Sequence, residues 1–139
     1  MNPYRLPSAH RRVPITSSAI GMISADGGTV EKVAANPRVD VEPTWSRDGS
    51  SLYFASARDG RFKIFRHDLA TNRDTALVNG IQPAISPDGK SLAYEQGGLR
   101  VLDLATLQSR IVREEETEYR MKPQWTPDGQ NIVYVTEDK

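Results

Sequence analysis

One motif returns three times at a fixed interval, and that interval limits what the chain can fold into. Pro43-Thr44-Trp45-Ser46-Arg47-Asp48-Gly49, Pro83-Ala84-Ile85-Ser86-Pro87-Asp88-Gly89 and Pro123-Gln124-Trp125-Thr126-Pro127-Asp128-Gly129 place their Pro, Asp and Gly 40 residues apart each time. Each copy is followed by a short apolar run: Leu52-Tyr53-Phe54, Leu92-Ala93-Tyr94 and Ile132-Val133-Tyr134. A second block recurs between them, Asp68-Leu69-Ala70-Thr71 and then Asp103-Leu104-Ala105-Thr106, 35 residues on. A weaker copy, Ile20-Gly21-Met22-Ile23-Ser24-Ala25, precedes Asp26-Gly27-Gly28. The interval shrinks to 35 because residues 55–63 make a longer loop than residues 95–98, and the connector 112–122 restores the 40. Loops absorb such length changes and strands do not. Self-similarity at this period marks a repeat architecture.

Each repeat holds four short apolar runs. In one of them these are residues 41–46, 52–56, 62–69 and 75–78. They are too short for helices and rich in β-branched and aromatic residues, so they predict strands. Alternation puts Leu52 and Phe54 on one face and Tyr53 and Ala55 on the other. The turns carry their own signals. Pro87 pre-sets φ, Asp88 can bond its own backbone two residues on, and Gly89 supplies positive φ. Arg58-Asp59-Gly60 and Gly97-Gly98 mark a second hairpin. Ala70-Thr71-Asn72-Arg73 and Asp26-Gly27-Gly28 mark a third. A four-stranded antiparallel meander of about 40 residues is the blade of a β-propeller.

The same residues carry a family resemblance. Trp45-Ser46-Arg47-Asp48-Gly49, Ile85-Ser86-Pro87-Asp88-Gly89 and Trp125-Thr126-Pro127-Asp128-Gly129, each with the strand that follows, resemble the WD40-like (PD40) repeats of TolB-like propellers over residues 17–136. The resemblance implies an all-β propeller with six blades when complete. It also implies a periplasmic home. Members range from a periplasmic Tol–Pal protein to the propeller parts of peptidases, amidohydrolases and regulators. Arg47 stands where the motif commonly has Pro, a departure expected to affect turn stiffness only.

Counting then divides the chain. Residues 1–16 read as an irregular basic leader without an apolar signal-peptide core. Residues 17–40 supply the last two strands of a blade, 41–80 and 81–120 one blade each, and 121–139 the first two strands of another. That is about three four-stranded blades, half of a six-bladed ring, and three cannot close a ring alone. Either the segment belongs to a longer propeller or two copies complete each other by two-fold symmetry. Residues 1–40 lean basic and 114–139 lean acidic, a layout that would steer head-to-tail pairing and that two solvated ends would also give.

Composition removes several functions. The 139 residues carry 18 Lys and Arg against 18 Asp and Glu, so no basic footprint points to nucleic acid. With no Cys there is no disulfide frame, thiolate zinc site or Cys nucleophile. Two His make a His-rich metal site improbable, and no apolar run is long enough for membrane insertion. No Gly-x-Ser-x-Gly elbow, phosphate loop or His-Glu-x-x-His pattern occurs.

The residues that invite chemistry have plainer roles. Asp48, Asp88 and Asp128 could ring a metal, but an Asp before a hairpin Gly serves its own backbone. Trp45, Ile85 and Trp125 are expected to pack between blades, and Tyr53, Phe54, Tyr94 and Tyr134 to fill the core. His67 adjoins Asp68, yet neighbours on a strand point to opposite faces, and Leu102 at the equivalent place marks a packing position. The acidic run Glu114-Glu115-Glu116-Thr117-Glu118 sits in the longest connector, as a solvated loop or a rim site for a cation or a basic partner. The sequence thus nominates no catalytic, cofactor-binding or metal residue. It points to a non-catalytic scaffold whose partner is another protein or a second copy of itself. The alternative is an accessory segment of a larger peptidase- or amidohydrolase-type enzyme.

Overall fold

A computed structural model of the chain describes residues 18–34, 39–114 and 121–136. The leader and residues 115–118 of the acidic run lie outside them; Glu114 alone of that run is described. The described residues form twelve strands and no helix. β1 (Ile20–Met22) pairs with β2 (Glu31–Ala34). β3 (Asp40–Trp45), β4 (Ser51–Ser56), β5 (Lys63–Asp68) and β6 (Arg73–Asn79) make one four-stranded meander. β7 (Ile81–Ile85), β8 (Ser91–Glu95), β9 (Gly98–Asp103) and β10 (Ser109–Glu114) make the next. β11 (Gln124–Trp125) pairs with β12 (Ile132–Val133). All paired strands are antiparallel, and order in the sheet follows order in the chain.

The first strands of successive sheets lie against one another, β3 on β7 and β7 on β11. The fourth strands, β6 and β10, are mostly or wholly exposed. The sheets therefore fan out from an inner edge made of β3, β7 and β11, the blade arrangement of a propeller. β4 shows why the sheets stack: every one of its residues is buried, so both faces are covered. Leu52 and Phe54 pack with Phe65, Ile20 and Val33 of the preceding sheet. Tyr53 on the opposite face joins Ile64, Leu92, Tyr94 and Leu102 in a second core. A third core places Met121 with Ala93 and Leu99, and Trp125, Ile132 and Tyr134 against them. Burial of each large apolar side chain contributes about 1.5–3 kcal/mol. These three cores are the main source of cohesion between sheets.

Close packing reaches the backbone between sheets. Gly80 links β6 to β7 at φ 149°, and a side chain there would meet the Tyr94 ring at 2.7 Å and the Glu95 carbonyl oxygen at 2.8 Å. Only glycine combines that conformation with that approach.

Candidate functional site

The inner edge carries an unusual backbone. β3 and β7 each contain a residue–Pro pair, Glu42-Pro43 and Gln82-Pro83, and Lys122-Pro123 precedes β11. Glu42, Gln82 and Lys122 hold φ at 61°, 57° and 46°, a region that side chains other than glycine rarely adopt. Pairing with the second strand shifts register between Val41 and Thr44, and again between Ile81 and Ala84. Proline has no N–H to give to a ladder, so a bulge at this point costs little.

The bulges tie blades together. The Gln82 N–H donates to Glu42 Oε1 at 3.2 Å, and the Lys122 N–H donates to Gln82 Oε1 at 2.7 Å. Each side chain thus accepts from the backbone of the next blade. The three residue–Pro pairs and Gln124 line a cleft of about 210 Å³. Its lining residues carry a carboxylate (Glu42), two carboxamides (Gln82 and Gln124) and an ammonium group (Lys122). Gln82 is 5% exposed, and its Nε2 has no hydrogen-bond partner among the described residues. The cleft can offer hydrogen bonds and charge of both signs. It holds no hydroxyl or thiol nucleophile.

This cleft was missed in the sequence. The available signal was the residue before each repeated proline, which differs in type but falls at the same 40-residue interval.

The aspartates nominated by the motif do not converge. Ser46 Oγ donates to Asp48 Oδ1 at 2.7 Å, and the Ser50 N–H donates to the same oxygen at 3.0 Å. Asp88 accepts from Ser86 Oγ at 2.6 Å and the Lys90 N–H at 2.9 Å. Asp128 accepts from Thr126 Oγ1 at 2.6 Å and the Gln130 N–H at 3.0 Å. Each carboxylate organises its own turn. Donation from Ser50 and Ser46 holds Asp48 down to about 2, and like bonds lower Asp88 and Asp128. Asp68 and Asp103 are lowered by N–H groups of Thr71 and Thr106 in the third hairpin. Among the described residues no group of three His, Cys, Asp or Glu side chains could hold a metal.

His67 is 3% exposed and faces the core, as its Leu102 counterpart does. Its neighbour Asp68 is not its partner. His67 Nδ1 lies 2.6 Å from Oδ1 of Asp74, directly across the β5–β6 ladder. Arg58 Nη1 donates to Asp74 Oδ2 at 2.8 Å, and Arg58 Nε donates to Ser56 Oγ at 3.1 Å. The guanidinium also stands 4.1 Å from the Phe65 ring centre and 3.8 Å from Asp40. A His–Asp pair orients an imidazole, but catalysis by it needs a nucleophile on the other nitrogen. Among the described residues no hydroxyl bonds to His67.

Two expectations need correction. Ile85 and Trp125 pack between blades, and the Trp125 indole donates to the Ala84 carbonyl at 2.9 Å. Trp45 does not: it is 44% exposed and its indole has no acceptor among the described residues. Trp125 lies against the inner strand β7, whereas the sheet before Trp45 has only β1 and β2 among the described residues. Arg47 also does more than loosen a turn. Its Nε donates to the Ser86 carbonyl at 3.1 Å, so it reaches the matching turn of the next blade.

Known proteins resemble this chain in sequence and in fold. The chain is 34% identical over 98 residues to the Tol-Pal system protein TolB of Alcanivorax borkumensis, a match covering 66% of this chain and 19% of that protein. It is 32% identical over 75 residues to the Tol-Pal system protein TolB of Francisella tularensis, covering 46% and 17%. The matches thus span under a fifth of those relatives. Among solved structures, TolB from Acinetobacter baumannii superposes with a TM-score of 0.74 at 22% identity, covering 84% of this chain and 31% of that one. A chain described as TolB from Agrobacterium tumefaciens gives 0.75 at 24% identity, covering 91% and 48%. The β-propeller domain of the Trilobed protease from Pyrococcus furiosus gives 0.58 at 22% identity, covering 73% and 35%. The family model of the TolB β-propeller domain, PD40, matches residues 15–139, and with the blade geometry above this chain belongs to that family.

Proposed function

We propose that residues 17–139 form a non-catalytic propeller segment that serves as a protein-binding scaffold, and that it completes a six-bladed ring with a second copy of itself. The observation that carries this reading is the complementarity of the end sheets. β11 and β12 flank the Thr126–Asp128 turn, the chemistry of a blade's first hairpin. β1 is followed by a turn in which Ser24 Oγ accepts from the Asp26 N–H, the place of Asp68 and Asp103 in a blade's third hairpin. One end sheet is thus an inner pair, the other an outer pair, and together they total one blade. Protein recognition is supported by the Tol-Pal relatives and by a cleft with hydrogen-bonding groups and no hydroxyl or thiol among its lining residues. Light scattering on the purified chain is the test: a particle of twice the chain's mass is expected, and a monodisperse monomer overturns ring completion.

A second reading makes the segment an accessory part of a larger hydrolase. The likeness to a protease's propeller domain favours it. Fusing the flanking coding sequence and finding hydrolase activity in the longer product alone would decide for it.

A further inference from the structure

Three features at the two ends are counterparts of contacts made inside the segment. The first is the inner-edge ladder. It runs from Glu42 through Gln82 to Lys122: the Glu42 carboxylate at one end already accepts from the Gln82 N–H through Oε1, and the Lys122 ammonium group at the other end has no following N–H among the described residues. Lysine has no acceptor to offer a following N–H, so the ladder cannot continue past Lys122 in the same way. An ion pair with a glutamate can take its place.

The second is the indole. Trp125 donates to the Ala84 carbonyl of the preceding inner strand, 41 residues back, while Trp45 stands exposed. Gln124 is the counterpart of Ala84 on the last inner strand, and its carbonyl is the matching acceptor for Trp45.

The third is apolar exposure. Ile23 is 52% exposed where His67 and Leu102 are buried, and Val133 is 62% exposed where Tyr53 and Ala93 are buried. Inside whole blades the second and third strands pair Leu52 with His67 and Tyr53 with Arg66, and Leu92 with Leu102 and Ala93 with Val101. The same register carried to the ends pairs Ile132 with Ile23 and Val133 with Met22.

We infer that β12 of one copy pairs antiparallel with β1 of a second copy, Val133 opposite Met22, so that Lys122 of each copy meets Glu42 of the other. This rests on the reading that the partner is a second copy, and adds the seam's register and charge code. Head-to-tail seams of this kind close after two copies when each spans half the ring. Burial of Met22, Ile23 and Val133 supplies the attraction, and the Lys122–Glu42 pair supplies the sense of joining.

Cysteine pairs read the register directly, because the chain has no Cys of its own. Under oxidation, Met22→Cys with Val133→Cys should give a covalent dimer. Ser24→Cys with Val133→Cys, two residues out of register, should not. Charge reversal reads the code. Glu42→Lys alone or Lys122→Glu alone puts like charges at both seams and should weaken dimerisation at least tenfold. Mixing the two variants restores opposite charges at both seams and should restore the dimer. A dimer that links only through Ser24→Cys and Val133→Cys overturns the register while leaving the two-copy reading intact. Single reversals that dimerise as tightly as the parent overturn the charge code. A parent chain that stays monomeric at every concentration overturns both the inference and the reading beneath it.

Discussion

The two four-stranded sheets share a plan and differ in how they meet the sheet before them. The β7–β10 sheet presents Leu92, Tyr94 and Leu102 to Tyr53 and Ile64 of a complete sheet, and that contact is apolar. The β3–β6 sheet presents Leu52, Phe54 and Phe65 to Ile20 and Val33 of a two-stranded sheet. There His67 replaces Leu102, and Arg58, Asp74 and Ser56 join it in a hydrogen-bonded group. The repeat therefore specifies strands and turns but leaves the filling between blades free. A full apolar neighbour suits leucine, and a smaller one leaves space for a polar network, here hydrogen-bonded within itself except at Arg58 Nη2, which stands 3.8 Å from Asp40.

Four measurements break or sharpen that contrast. The largest effect is expected where apolar cover is most complete. Tyr94→Ala should cost about 3–5 kcal/mol in urea unfolding, and Phe54→Ala, whose face is shared with Arg58, should fall at the lower end. A greater loss at Phe54 would reverse the comparison. Next comes the exchange of fillings. Leu102→His buries an imidazole without an aspartate opposite it and should cost about 3 kcal/mol, whereas His67→Leu should cost about 1 kcal/mol. Equal costs would mean that the neighbouring sheet does not decide the residue. Third, Arg58→Met removes the donor that joins Asp74 to Ser56 and should cost about 2 kcal/mol, while Arg100→Met, which loses a bond to the exposed Gln96 carbonyl, should stay within about 0.5 kcal/mol.

The smallest effect belongs to the turns, where the two sheets are alike. Asp48 is lowered from 3.8 to about 2 in the fold by hydrogen bonds, so its charged form is favoured there. Its contribution is complete above 3.8 and fades as pH falls toward about 2. Asp48→Asn keeps an acceptor but cannot titrate, so a melt series from pH 5 to about 2 should show a shallower acid decline than the parent. Asp88→Asn should do the same in the other sheet, since its carboxylate is lowered by the same kind of bonds. An unchanged slope in both would remove the turn aspartates from acid sensitivity.

Much of the fold was legible because local chemistry repeats. Asp before Gly, with a hydroxyl two residues earlier and an inner-strand Pro five residues before the Asp, announces the first hairpin at Asp48, Asp88 and Asp128. The β-branched runs between turns bring the strands to within three residues of their observed ends. Contacts that cross strands or blades were less legible. The partner of His67 is Asp74, seven residues on, and only register across the β5–β6 ladder reveals that. Reading Trp45 as buried followed from its kinship with Trp125, but burial of an inner-strand indole depends on the strand beside it. Glu42, Gln82 and Lys122 share no side-chain type, so the repeat hid them. Their common property is a left-handed backbone before proline, which a residue-type comparison does not register.

The contrast between the wholly buried second strand β4 and the exposed fourth strands β6 and β10 also has a kinetic face. Opening an outer strand uncovers little apolar surface, whereas opening β4 dismantles two cores at once. Amide exchange should therefore be graded across each blade: fast in β6 and β10, slowest in β4 and β8, whose release requires neighbouring sheets to part. Each blade then breathes from its outer strand inward, while the inner edge of β3, β7 and β11 holds its shape.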